Sequence, residues 1–418
     1  MTERFKKWVL LLFIFFTVWA SYSNAKVFNQ TDSLWSIYTT LSLVREGNLD
    51  LDEYKTLFPK AFNANLIEVK EHTYNYYPYG VSLLAYPYIW SLNQYYLLKE
   101  KDLYAKIISS STVPLEKNVS AILLSFSACI FFLLAQKELN STKKSLLLLF
   151  LFSFCTLNFS VLSRGLWQHT GSIFLITIVL YCIHSQRRGL LIFSALPLFS
   201  SYVVRPTNLL PILILGLIVI YHLQRKSFYF LGLGIIILSA FFYTNLVVFG
   251  SIYHPYYDFR KIGGSTTYLE ALVGNLFSPA RGLFIYSPIF LFSFLGFYLK
   301  IRSKNLEKLD IALVLIFFLH WVSVSRNLNW WGGHSYGYRL LSDMIPFLIY
   351  LCIFFLKDFD WNLKSPTLYI FILSVFISFY INSKGAYDMN SYFWNLTPKN
   401  IDNYPERLWD WKDLPFLR

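Results

Sequence analysis

Charge is what this chain has least of. Only 15% of its 418 residues are Asp, Glu, Lys or Arg, against about 25% in a soluble domain. No stretch is polar enough to leave over a soluble domain of ordinary size. Cysteine is scarce as well: Cys129, Cys155, Cys182 and Cys352 all lie inside apolar runs and make no CxxC pair. That excludes a disulfide framework and a cysteine-built metal site, and leaves the four as small core residues. A nucleotide-binding glycine loop is missing, and so are internal repeats and low-complexity tracts other than the apolar runs.

Apolar and aromatic residues are abundant. They set the hydrophobic share at 55%, the aromatic share at 20% and the mean hydropathy at +0.44. Several runs approach the roughly 20 residues needed to cross a bilayer. The fold class is therefore an all-α polytopic membrane protein, one integral-membrane domain over residues 1–418. The net charge of +13 does not imply a nucleic-acid partner. Lys and Arg cluster in short loops between apolar runs, as positive-inside topology produces.

Arg4, Lys6 and Lys7 precede the first apolar run, residues 8–22, which places the N-terminus in the cytoplasm. Ser23-Asn24-Ala25 also looks like a signal-peptidase site. The run is read as a retained anchor, because the rest of the chain is membrane-embedded. Residues 23–118 form a polar, aromatic loop. Within it, residues 33–45 put Leu34, Ile37, Leu41 and Val44 on one face of an interfacial amphipathic helix, ended by Gly47-Asn48. Residues 80–98, interrupted by Pro87, either span or lie in the interface. If they do not span, ten further crossings over 119–382 place Lys143 and Lys144, Arg187 and Arg188, and Arg225 and Lys226 inside. That gives eleven spans and an outer C-terminal tail, residues 383–418.

The same threading gathers the unusual polar residues on the outer face. Asp32 lies just beyond the first crossing, where an idle carboxylate near the low-dielectric boundary is costly. The plainer reading is that Thr31 or Asp32 caps a helix starting at Ser33. Arg164, Arg205, Arg281 and Arg339 each stand beside Gly, Pro or an aromatic residue. A guanidinium fork suits a phosphate; snorkelling to lipid headgroups is the plainer alternative. His72, His169, His254 and His334 fall outside too. No pair has i, i+4 ligand spacing, so no metal is assigned, and hydrogen-bonding or acid–base roles are expected. Tyr77 and Tyr79 belong either to an interfacial aromatic belt or to a surface on which a sugar ring stacks. The three-residue sequons at Asn29, Asn118, Asn140, Asn158 and Asn395 carry little weight.

With Asp32 behind the first span, the interfacial helix after it, Tyr77-Pro78-Tyr79-Gly80 and a multi-span body with short loops, the chain resembles the GT-C superfamily of integral-membrane glycosyltransferases. The likeness is to the bacterial relatives of protein O-mannosyltransferases and lipid A aminoarabinose transferases. Many of those show an acidic pair where this chain has Asp32 alone, and a large soluble C-terminal domain is absent here. The resemblance implies an inverting transferase using a polyprenyl-phosphate-linked sugar donor and an extracytoplasmic glycan, lipid or protein acceptor. It implies a bacterial inner-membrane location with the active site outside. Asp32 would be the catalytic base. Arg164, His169, Arg205, Arg281, His334, Arg339, Tyr77 and Tyr79 would bind donor phosphate or substrate, and no cofactor is assigned. Asp50, Asp52 and His169 are the next candidates for the base.

Two other classes compete. A flippase or transporter of lipid-linked saccharides would use the arginines as headgroup contacts, but should also place polar residues at mid-membrane. A glycan polymerase or ligase would share the donor and do its chemistry with Arg and His.

Overall fold

A computed structural model describes residues 3–57, 65–257, 267–359 and 361–418. Part of the loop expected over 250–282 lies outside the described residues. The protein is mostly helical, and five of its described helical segments are long and apolar enough to cross a membrane. These are Arg4–Asn24, Val113–Leu139, Pro206–Phe249, Arg339–Asp358 and Pro366–Tyr387.

Five is fewer than the eleven expected, and the chain itself shows why. The crossing expected over 145–162 is a 13-residue helix, Thr142–Phe154, followed by a π turn at Asn158–Leu162. Thirteen residues rise about 20 Å, short of a hydrocarbon core of roughly 30 Å. The crossing expected over 283–299 is broken at Pro288 into Leu283–Tyr286 and Leu291–Arg302. Residues 80–98 form one helix, Gly80–Leu98, with Pro87 inside it. The all-α expectation also misses a short antiparallel hairpin, Leu66–Val69 with His72–Asn75, paired from Leu66 to Asn75.

The helix Ile345–Asp358 forms the centre. Every residue from Ile345 to Leu356 is buried, as expected of a helix that is apolar all round. Leu291–Arg302 packs along it. A Cβ at Gly296 would stand 2.5 Å from the Leu351 carbonyl oxygen, so only glycine permits this approach. Glu3–Asn24 packs on Val113–Leu139, which packs in turn on Thr142–Phe154 and Gln168–Ser185. Gln168–Ser185 lies against Ala195–Val204, and that helix lies against Ser227–Phe249. The central helix is preceded by a 3-10 segment, Arg339–Met344. This segment meets the start of Gln168–Ser185, and the polar residues gather at that junction.

Candidate active site

Asp32 sits in a turn over residues 31–35. The amphipathic helix begins at Ser36, three residues later than expected, and has Trp35 at its N-cap. Asp32 therefore does not cap it. Its carboxylate pairs with the Arg339 guanidinium, and its side chain is 20% exposed. Arg339 lies over the Trp167 ring, 4.3 Å from the centroid, and donates from Nη1 to the Gly332 carbonyl at 3.2 Å. A cation on an indole face is held electrostatically by the ring quadrupole.

A second acid fixes the turn that carries Asp32. Glu116, in the first turn of Val113–Leu139, is fully buried. It accepts from Gln30 Nε2 at 2.6 Å, Ser33 Oγ at 2.5 Å and the Leu166 N–H at 3.1 Å. The Asn29 N–H donates to the Arg164 carbonyl at 3.0 Å. A Cβ at Gly165 would collide with the Asn29 carbonyl oxygen, so residue 165 must be glycine for the two stretches of chain to touch. Asp32 is thus delivered on a braced turn.

A third acid organises the cations. Asp343, 1% exposed, lies 2.7 Å from Arg205 Nε through Oδ2, an ion-pair contact whose angle falls short of a hydrogen bond. The same oxygen is 3.3 Å from His169 Nδ1, and Ser342 Oγ is 3.0 Å from that nitrogen. Below them, His320 Nε2 meets the Leu340 carbonyl oxygen at 2.9 Å. Arg205 ends the helix Ala195–Val204 and is followed by Pro206, which turns the chain. Two short runs, 167–169 and 339–343, therefore face one another. They carry Trp167 against Arg339 and His169 against Asp343.

The other expected site residues are placed elsewhere. Arg164 is fully buried and donates from Nη2 to the Tyr22 carbonyl at 2.5 Å and to Ser163 Oγ at 2.8 Å. Arg281 donates to the carbonyls of Trp331, Ala280 and Gly333 and, at 2.5 Å, to Asn395 Oδ1. These two arginines hold chain segments together: Arg164 is turned towards Tyr22, and Arg281 holds the loop whose Gly332 carbonyl also binds Arg339. His334 meets Asn400 Oδ1 at 3.0 Å and Asp402 Oδ2 at 3.1 Å, docking its loop on the C-terminal tail. The Tyr77 ring packs on Tyr256 at 5.2 Å. Burial pushes both phenols upward, so both stay neutral. Tyr79 packs on Phe241 at 5.7 Å. His254 is buried, which pulls its imidazole down to about 3 and keeps it neutral; its Nδ1 accepts from the Tyr256 N–H at 3.2 Å. Asp50, Asp52 and His72 come within chelating distance of one another, as do Glu46, Asp50 and Glu53. Asp52 is already engaged by Lys55, His72 and the Thr73 N–H, and no metal is assigned there.

Tyr79 also lines an apolar groove of about 610 Å³, together with Gly80, Val203, Val204, Ile237 and Phe241. Arg205 follows Val204 in the chain but is not among the residues that line the groove. A polar cavity of about 510 Å³, lined by Lys137, His184, His222 and Lys308, lies at the far ends of Val113–Leu139 and Gln168–Ser185, away from Asp32.

Sequence reasoning missed Asp343, Glu116, Ser342, His320 and Tyr256. Asp343 left a signal, being the one acid inside the crossing expected over 340–356; Glu116, beside Lys117, looked like ordinary loop charge. No protein-family model matches the chain, and no curated protein matches it.

Proposed function

We propose that this protein is a membrane glycosyltransferase that moves a sugar from a polyprenyl-phosphate donor to a hydroxyl on an extracytoplasmic glycan, lipid or protein. One observation carries the reading. A carboxylate, Asp32, is paired with Arg339, and the same 339–343 segment holds Asp343, the partner of a second cation, Arg205, whose preceding residues Val203 and Val204 line an apolar groove. The groove suits a lipid tail, the cations suit the phosphate on that tail, and the carboxylate suits an acceptor proton.

In this mechanism the acceptor O–H gives its proton to Asp32. Its oxygen forms a bond to the anomeric carbon from the face opposite the phosphate, the carbon–phosphate-oxygen bond breaks, and the electron pair leaves on the lipid phosphate. Arg339 and Arg205 offset the charge that develops there. Arg339 occupies the Asp32 carboxylate in this state. An arriving phosphate takes part of that guanidinium and frees the carboxylate for the acceptor hydroxyl. The reading assigns no cofactor. It places the protein in a bacterial inner membrane, N-terminus in the cytoplasm, with Asp32 outside and membrane lipids around the helices.

Asp32→Asn is the test, with purified full-length protein and a polyprenyl-phosphate sugar. Turnover should fall a hundred- to ten-thousandfold, on the order of what losing a general base costs. Donor affinity and thermal stability should stay near wild type. Near-wild-type turnover in the Asn variant would move the base to another residue.

A further inference from the structure

Two consecutive residues, next in the chain to the Trp167 that carries Arg339, hold buried polar atoms without hydrogen-bond partners. His169 is 1% exposed and Gln168 is 7% exposed. Among the described residues His169 Nε2 makes no hydrogen bond, and neither do Oε1 and Nε2 of Gln168. Buried polar atoms are nearly always paired, so three left over on consecutive residues call for a ligand that completes them.

The hydrogen-bond network fixes what His169 can take. Ser342 has a single hydroxyl proton, and it goes to the Arg339 carbonyl at 2.7 Å. Towards His169 Nδ1, at 3.0 Å, Ser342 Oγ can therefore only accept. The hydrogen sits on Nδ1, an arrangement that Asp343 Oδ2 at 3.3 Å reinforces. Nε2 of the neutral ring then presents a lone pair. A phosphate diester at neutral pH has no proton to offer that lone pair, whereas a hydroxyl does. Gln168 adds an acceptor and two donors, which match a hydroxyl that both gives and receives. This narrows the expected phosphate-or-substrate role of His169 to a hydroxyl contact.

Position selects which hydroxyl. Trp167 carries the Arg339 guanidinium on its face, and His169 shares Asp343 with Arg205. Gln168 thus lies in the chain between the ring that carries one cation and the imidazole that shares a carboxylate with the other, and the sugar is the group bonded directly to the phosphate assigned to those cations. We infer that Gln168 and His169 read the hydroxyls of the transferred sugar and set which sugar the protein accepts. The inference rests on the glycosyl-transfer reading above. It makes the transferred unit a neutral, hydroxyl-rich ring at this edge.

Binding separates the two ideas. The probes are bare polyprenyl phosphate and polyprenyl-phosphate mannose, glucose and galactose, each titrated onto the full-length protein. Wild type should bind at least one sugar-bearing lipid about tenfold tighter than the bare carrier, the scale of one or two hydrogen bonds. Gln168→Leu should remove most of that gain and leave bare-carrier affinity unchanged; His169→Leu should remove most of it too, with bare-carrier affinity followed alongside because His169 also contacts Asp343. His169→Gln, whose amide reaches the Nε2 position, should keep part of the gain; His169→Asn, which reaches only Nδ1, should not. The inference is overturned if the gain survives in both Leu variants, if Asn preserves it better than Gln, or if bare-carrier binding is lost in step with it, which would make the pair supports of Asp343. Equal wild-type binding of all four lipids overturns it while leaving the phosphate site intact. Wild type binding none of them removes the transferase reading, and this inference with it.

Discussion

Four arginines look alike in the sequence and divide into two pairs in the fold. Arg164 and Arg281 end on backbone carbonyls, a serine hydroxyl and an asparagine oxygen. Arg205 and Arg339 end on carboxylates, and Arg339 also covers an indole face. Unpartnered nitrogens do not separate the pairs, because Arg164 Nη1 lacks a hydrogen bond as does Arg339 Nε. The kind of partner does. A guanidinium bound to several carbonyls cross-links the chain, and it cannot leave them without orphaning buried acceptors. A guanidinium bound to a carboxylate can exchange one oxyanion for another, since carboxylate and phosphate present the same acceptor geometry.

The largest effect should come from the exchangeable pair. Arg339→Lys keeps the charge but loses the planar fork that spans Asp32, Gly332 and the Trp167 face. Transfer should drop about a hundredfold, the scale of losing one preorganised donor at a developing charge. Arg205→Lys should lose somewhat less, because the Lys ammonium can still meet Asp343. Both variants should reach the membrane in normal amount with little change in Tm. A fully active Arg339→Lys would place that residue with Arg164 and Arg281.

The cross-linking pair should fail in the opposite way. Arg281→Lys replaces a fork that spreads over Trp331, Ala280, Gly333 and Asn395 with one ammonium that cannot reach all four. We expect a loss of about 3–6 kcal/mol, two charged hydrogen bonds' worth, seen as a lower Tm and less protein in the membrane. The molecules that do fold should turn over at nearly the wild-type rate. A stable Arg281→Lys with lost turnover would erase the distinction between the pairs.

The split was not legible beforehand because it depends on contacts far apart in sequence, such as Arg281 with Trp331, 50 positions away, and Arg339 with Asp32, 307 positions away. What sequence does carry is local. Asp32 after the first apolar run, the amphipathic pattern of residues 33–45 and the aromatic 74–80 stretch could be read, because each is a short-range composition signal. The starting point of that helix could not, since the 31–35 turn is held through Ser33 by Glu116 from 83 positions away rather than by its own capping chemistry. The span count failed for a related reason. Hydropathy reports that a segment is apolar, and Pro288 or a π turn at Asn158–Leu162 decides whether it is one helix or two. Asp343 was visible as an isolated acid in an apolar run, but its partners Arg205 and His169 were not.

The smallest effect should lie where the charges are exposed, at the hairpin. Asp52 Oδ1 is 2.9 Å from Lys55 Nζ and Oδ2 is 2.6 Å from His72 Nδ1. Its partial burial pulls the carboxyl upward, but the Thr73 N–H, Lys55 and His72 outweigh that and hold it below the ordinary carboxylate value of 3.8. A carboxyl lowered in the folded state stabilises above its unfolded pKa, and that contribution is lost as pH falls through the lower folded value. The loss is therefore confined to acid, below about pH 4, where Asp52 takes up its proton. Asp52 is 30% exposed and Lys55 and His72 about half exposed, so screening keeps the contribution under about 1 kcal/mol. Asp52→Asn should accordingly shift Tm by only a degree or two at pH 7, differ progressively less from wild type as pH falls below about 4, and leave transfer unchanged. A turnover loss as large as that of Asp32→Asn would bring the hairpin into the active site and undo the contrast between exchangeable buried pairs and exposed ones.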